Sequence, residues 1–352
     1  MRSWQIIRWG EPLEPRDYPD PVPEGRQVVL RVLTSGICHS DLHLWQGYFD
    51  LGGGERLDIT TRGLQLPFTL GHEVLGEVVA VGPEVHEVRP GDRRIVYPWI
   101  GCGSCADCAR GEELLCVKPR VVGTWRDGGY STHVLVPDAR YLVDYDGLDP
   151  AVACTYACSG VTALSALKKT GLTRDDQTLL LVGCGGVGLQ ALQMARAVVP
   201  GRIVVAEPDA VKREAALAAG ADHVVDNRDT KAAVQAVKDL SGGGATAAID
   251  FVGRPETARF AIDALRQKGG TLVVVGLYGD KLVYPLPLFP LRVLSVRGSY
   301  VGTLEDLREV VRYAKEGRLK PLPVTEVPLE QVNRAMADLA AGRVTGRIVL
   351  AP

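Results

Sequence analysis

Residues 178–188 read Thr-Leu-Leu-Leu-Val-Gly-Cys-Gly-Gly-Val-Gly. A short apolar run rich in β-formers leads straight into a glycine turn. The turn fits G-x-G-x-x-G through Gly183, Gly185 and Gly188, and a helical pattern over 187–199 follows it. The motif carries meaning only between a strand and a helix, which is the setting here. Gly183 permits the tight turn, Gly185 lets a pyrophosphate approach the backbone, and Gly188 lets the helix pack on the strand. Gly186 and Val187 lie between them at the helix start, where free N–H groups and the positive end of the dipole favour an anion. The stretch predicts a dinucleotide site.

The downstream sequence keeps the same rhythm. Strands at 178–183, 202–207, 223–226, 246–252, 270–277 and 292–299 alternate with helices at 187–199, 211–219, 230–240 and 256–267. That alternation predicts an α/β fold with a doubly wound, six-stranded parallel sheet. Glu207 ends the second strand, nineteen residues beyond Gly188. A carboxylate there accepts from the ribose hydroxyls of NAD and repels the 2′-phosphate of NADP. Lys212, a few residues on, adds positive charge near either cofactor.

The flanks differ. Residues 1–157 are short β runs broken by Gly and Pro, such as QVVLRVLTSG, HEVLGEVVAVG and RRIVYPWIG. Residues 299–352 return to mixed character, with a helix at 304–316 and a last strand, RIVLAP. So short a tail is expected to return to the first unit, which makes 158–298 an insertion. The formal charge of −2, from 40 Lys+Arg and 42 Asp+Glu, has no basic run, so neither nucleic acid nor a membrane is an expected partner. No apolar stretch is of spanning length, and the N-terminus does not read as a signal peptide. Reduced cysteines in the cytoplasm are the expected state.

Four of the eight cysteines lie in one Gly-containing loop, as Cys102-x2-Cys105-x2-Cys108-x7-Cys116. Four thiolates in a tetrahedron suit a closed structural zinc site. A disulfide pair requires an oxidising compartment, and an iron–sulfur run of the bacterial type closes with x3 and Pro rather than x7. Two further segments carry metal-ligand residue types: Cys38-His39-Ser40-Asp41-Leu42-His43 and Gly71-His72-Glu73. Alone, each is equally compatible with packing or surface residues. Cys154 and Cys184 read as small buried residues, and His86, His133 and His223 as ordinary ones.

Taken in order, G-I-C-H-S-D-x-H, G-H-E-x-x-G-x-V-x-x-V-G, the cysteine loop, A-C-S-G-V-T-A and G-C-G-G-V-G make the whole chain resemble the zinc-dependent medium-chain alcohol dehydrogenases. The resemblance implies a Rossmann domain inserted in a β-rich GroES-like catalytic domain, with boundaries at 1–157, 158–298 and 299–352. It implies two zinc ions per chain: one structural, the other catalytic and held by Cys38, His72 and Cys158, a ligand set typical of alcohol dehydrogenase. Glu73 becomes a transient ligand, and Asp41 orients His72. Ser40 takes the hydroxyl proton and His43 passes it outward, while hydride moves between the alcohol and NAD. His39 and Arg347 match pyrophosphate-binding positions, and Thr162 and Val187 match residues that pack on the nicotinamide. A homodimer or homotetramer, joined through the strand at 292–299, is also implied. A zinc-free quinone or enone reductase of the same fold, and a non-catalytic NAD- and zinc-binding sensor, remain as alternatives.

Between His43 and Gly71 the chain carries YFDLGGGERLDITTRGLQLP, a stretch longer than in compact microbial relatives as the resemblance suggests. It leads away from the metal ligands and is expected to roof the cleft. Trp45 and Trp99 match pocket positions. The insertion, with PLPLFPLRVLSVRGSYVG further on, looks like a 6-hydroxyhexanoate dehydrogenase-like branch. A small alcohol or aldehyde is the expected substrate, and the branch resemblance implies an ω-hydroxy acid whose carboxylate meets Arg56 or Arg62.

Overall fold

Six strands form one parallel sheet: Thr178–Val182, Arg202–Ala206, His223–Val225, Ala247–Asp250, Thr271–Val274 and Ser295–Gly298. Their spatial order is third, second, first, fourth, fifth, sixth. The order reverses between the first and fourth strands, and in such sheets ligands bind outside the carboxyl ends at that point. The computed structural model describes residues 1–61 and 63–352, so Arg62 lies outside the described residues.

Alternation along these strands explains the two covered faces. Leu179, Leu181, Ile203, Val205, Ile249 and Val273 enter one buried cluster. Their neighbours Leu180, Val182, Val204, Ala206, Ala248 and Leu272 enter another. Side chains with period two point to opposite faces, so a strand apolar at every position needs helices on both sides. The expected strand at 292–299 is shorter than its sequence suggests. Residues Leu288–Arg292 form a helical turn, with prolines at its start where a missing N–H costs nothing. Val293 then takes φ +49°, and the strand begins only at Ser295.

The second large sheet runs in the order Leu142–Asp144, Arg93–Val96, Glu73–Val81, Val28–Gly36, Arg347–Ala351, Val324–Pro328, with His133–Val136 also paired to Val28–Gly36. The C-terminal return is made in two stages. Helix Leu304–Lys315 stays beside helix Ser159–Thr170, and only the strands Val324–Pro328 and Arg347–Ala351 join this sheet. The segment between His43 and Gly71 is more ordered than a loop: Tyr48–Gly52 and Glu55–Asp58 pair as an antiparallel hairpin. Gly52, Gly53 and Gly54 all have positive φ at its tip, which the run of three glycines supplies without steric cost. No single helix among the described residues is long and apolar enough to cross a membrane.

Candidate active site

Strands Val28–Gly36 and Glu73–Val81 are antiparallel neighbours with Gly36 opposite Glu73. Cys38 follows one strand and His72 precedes the other, so pairing brings them to the same end. Cys38 is the N-cap of helix His39–Gln46, and Cys158 is the N-cap of helix Ser159–Thr170. Two helix N-termini therefore meet at one point, and the positive end of each favours a thiolate. The two sulfurs lie 3.9 Å apart. One ligand atom from each of Cys38, His72, Glu73 and Cys158 lies within 4.8 Å of the others, and all four residues are buried.

Asp41 organises the cluster. Its Oδ1 faces His72 Nδ1 at 3.1 Å, and its Oδ2 accepts from the Cys38 amide at 2.9 Å and the Tyr130 hydroxyl at 2.8 Å. With Nδ1–H given to Asp41, His72 Nε2 keeps a lone pair, yet this buried atom has no protein partner. A carboxylate behind an imidazole whose other nitrogen is free is the arrangement of a metal-bound histidine. The donor set and the orphaned nitrogen fit zinc. The Cys38 thiol is held well below its ordinary range by its contact with Cys158, against burial, with Arg347 adding positive charge; the same contact and burial push the Cys158 thiol up. Burial pushes Glu73 up to about 7, opposed by Arg347, whose guanidinium donates to its Oε1.

Ser40 Oγ is 3.1 Å from Cys38 Sγ, and His43 lies one turn further along the same helix face. Phe49, from the hairpin, stacks on the His43 ring with centroids 4.9 Å apart. Trp99 lies against His72 at 5.3 Å, fixed by its indole N–H donating to the Ala157 carbonyl at 2.8 Å. Tyr300 meets Trp99 edge-on at 5.7 Å. Trp45 is placed differently from the expectation. Its indole donates to the Glu11 carbonyl at 2.5 Å, and its ring packs against the N-terminal core.

The nucleotide turn has the geometry its glycines imply. Gly183 has φ +88°, and a Cβ there would meet Val252 at 2.7 Å. A Cβ on Gly188 would collide with the Gly183 carbonyl, whereas Gly185 faces open space. Glu207 is buried; its Oε2 accepts from the Cys184 amide at 2.7 Å and its Oε1 from the Asp209 amide at 3.1 Å. The carboxylate is thus fixed at the glycine turn. Burial lowers the His39 pKa, and the positive charges of Arg347 and Lys212 lower it further. Thr162 is buried on helix Ser159–Thr170, and Val187 is half-buried on helix Gly186–Val198, against which that helix packs. Arg347 departs from a simple phosphate ligand. It is buried, paired to Glu73, and a Cβ on Gly186 would meet its Cδ at 2.8 Å.

The cysteine loop closes as its spacing implies. The Sγ atoms of Cys102, Cys105, Cys108 and Cys116 lie within 4.8 Å of one another. Cys102–Cys108 is 3.9 Å and Cys105–Cys108 is 3.5 Å. A tetrahedron with Zn–S of about 2.3 Å has edges of about 3.8 Å. All eight cysteines are free, which sets the disulfide reading aside. The Cys102 and Lys118 amides donate to Cys116 Sγ at 3.2 and 3.4 Å, as suits a thiolate. Sequence reasoning missed Tyr130, Phe49, Tyr300 and Gly101, whose Cβ would collide with Cys108. Tyr130 falls in no motif; Phe49 and Tyr300 lie inside the two quoted branch stretches with no local pattern to single them out, and Gly101 carried a signal as a glycine next to the first cysteine.

A dinucleotide crevice beside a pocket of two thiols and one imidazole defines a metal-dependent dehydrogenase. Residues 24–146 match the alcohol dehydrogenase GroES-like domain and residues 186–316 match the zinc-binding dehydrogenase domain. An NAD-dependent alcohol dehydrogenase of Sulfurisphaera tokodaii is 38% identical over 354 residues, covering 100% of both chains. A D-arabinose 1-dehydrogenase (NADP(+)) of Saccharolobus solfataricus is 32% identical, covering 99% of this chain and 96% of its own. The crystal structure of the alcohol dehydrogenase from Aeropyrum pernix superposes with a TM-score of 0.89 at 30% identity, covering 100% of both chains. The chain belongs to the zinc-dependent medium-chain alcohol dehydrogenase family. It is an oxidoreductase acting on alcohols, with NAD and zinc as cofactors, and not a non-catalytic sensor.

Replacing Asp41 with Asn removes the charge behind His72. Zinc retention at this centre against a chelator should weaken by about 10- to 100-fold, with the four-cysteine site unaffected. Unchanged retention would contradict the organising role given to Asp41.

Proposed function

We propose that Cys38, His72 and Cys158 hold the catalytic zinc of an NAD-linked alcohol oxidation, and that Cys102, Cys105, Cys108 and Cys116 hold a structural one. The observation that carries this reading is the buried, unpartnered His72 Nε2 beside two thiols at helix N-termini. When bound, zinc acidifies an alcohol hydroxyl. Ser40 would take the hydroxyl proton as its own moves on toward His43, which delivers it to solvent. Burial lowers the His43 pKa, with repulsion from His39 adding to it, so the ring is neutral and ready to accept at pH 7. Below that lowered pKa the ring is protonated and this route closes. Glu73 serves as the reserve ligand, with Arg347 holding it back. Trp99 and Tyr300 shape the substrate side, and His39, Lys212 and Arg347 offset the pyrophosphate charge. Thr162 and Val187 pack on the nicotinamide. Glu207 selects NAD over NADP. The division at 157 and 298 is the corresponding domain reading, and a cytoplasmic enzyme is the corresponding location.

The substrate read from the insertion is a medium-chain ω-hydroxy acid such as 6-hydroxyhexanoate. Arg56 supports it: the guanidinium stacks over Tyr48 at 4.0 Å and forms no ion pair among the described residues. A polyol or aldose is the competing class, motivated by the D-arabinose relative. A panel of 6-hydroxyhexanoate, 1-hexanol and D-arabinose, each with NAD and NADP, tests the choice by kcat/KM. The hydroxy acid with NAD should lead, and Arg56→Ala should lower its rate constant while sparing 1-hexanol. Equal loss on both alcohols, or a lead for D-arabinose, would refute the carboxylate reading.

The same reading includes a homo-oligomer, a dimer or tetramer, paired through strand Ser295–Gly298. This strand ends its sheet, and Leu286, Leu291 and Val293 stand 79%, 65% and 63% exposed beside it, a costly surface for a lone chain. Val296→Asp should lower the mass seen by light scattering at micromolar concentration. A monomeric parent protein would rule the arrangement out.

A further inference from the structure

The hairpin Tyr48–Gly52 with Glu55–Asp58 does more than extend the wall of the cleft. Its tip lies against residues 279–281, which follow the fifth strand of the nucleotide-binding sheet. Backbone meets backbone there. A Cβ on Gly52 would come within 2.5 Å of Asp280 Cα, and one on Gly279 within 2.6 Å of the Asp50 carbonyl. Asp280 itself has φ +86°, rare for a residue other than glycine. At the edge of this contact Lys281 Nζ pairs with Glu55 Oε1 at 2.9 Å.

The place of this contact gives it meaning. Gly183 of the nucleotide turn abuts Val252, and Gly276 packs on the Val252–Gly253 backbone. The 276–281 turn therefore sits at the carboxyl end of the sheet, where the cofactor enters. Arg254 stacks over Tyr278 at 4.0 Å and steadies the turn from the other side. The hairpin starts directly after the helix that carries Ser40 and His43, and its Phe49 rests on His43. One short ribbon thus joins the proton-relay helix to the rim of the cofactor crevice.

We propose that this hairpin is a latch: docking of residues 50–55 on residues 279–281 ties the catalytic sheet to the nucleotide-binding sheet and sets the rate at which NADH leaves. The inference rests on the assignment of the crevice to NAD. NADH departs only when the rim contact opens, so weakening the contact speeds release. Glu55 and Lys281 are both more than half exposed, and a pair of that kind contributes modestly. The glycine packing carries the larger share, because no side chain fits between the two backbones.

The test is stopped-flow displacement of NADH from the zinc-loaded enzyme. Lys281→Met and Glu55→Gln should each raise the NADH off-rate by about two- to fivefold, the range open to a surface pair. The double charge swap, Glu55→Lys with Lys281→Glu, should return it toward the parent value. Gly279→Ala should raise it further, with zinc content and melting temperature held as controls for folding. Off-rates unchanged in Lys281→Met and Gly279→Ala, or a swap that restores nothing, overturn the latch. Failure of the parent enzyme to bind NADH at all would count against the cofactor assignment instead.

Discussion

The carboxylate of Asp41 is the contact on which the site depends. It is fully buried, yet three groups satisfy it: the imidazole of His72, the amide of Cys38 and the hydroxyl of Tyr130. One side chain therefore fixes the rotamer of one ligand, the backbone of a second and the wall behind both. A buried carboxylate is costly without partners, and here each partner is a group that the metal centre needs in place. Gly36 and Gly71 belong to the same constraint. A Cβ on Gly36 would collide with Glu73, and one on Gly71 would meet Tyr130 at 2.5 Å.

Arg347 touches both the cysteine–histidine cluster and the glycine turn. The last strand pairs with Val28–Gly36 and so delivers Arg347 beside Glu73, while its side chain lies against Gly186 of the nucleotide turn. The C-terminus must return to the first sheet for this to happen. A chain ending after helix Leu304–Lys315 would keep the crevice and lose the arginine that holds Glu73. The hairpin makes a second contact with the nucleotide-binding unit, at residues 279–281.

Much of this was legible in the sequence, for physical reasons. The stretch 178–188 reports its own fold because strand, turn and helix requirements coincide in eleven residues. The cysteine loop reports its own site because four ligands lie close in the chain. Cys38, His72 and Cys158, the proposed catalytic ligands, converge only through strand pairing and helix capping; spacing alone holds no trace of them, and only the family resemblance pointed to them. Tyr130 is invisible for the same reason, since its partner is 89 residues away. Trp45 misled because an aromatic near a metal ligand is as readily a core residue. The contact of the hairpin with residues 279–281 joins positions more than 220 apart, beyond the reach of any local pattern.

Metal analysis of the purified protein by mass spectrometry tests the central claim most directly. Two zinc ions per chain are predicted in the parent. Cys158→Ser should retain one and lose turnover while remaining folded. A parent with one zinc or none, or a Cys158→Ser protein that keeps two and still reduces NAD with an alcohol, would contradict the account.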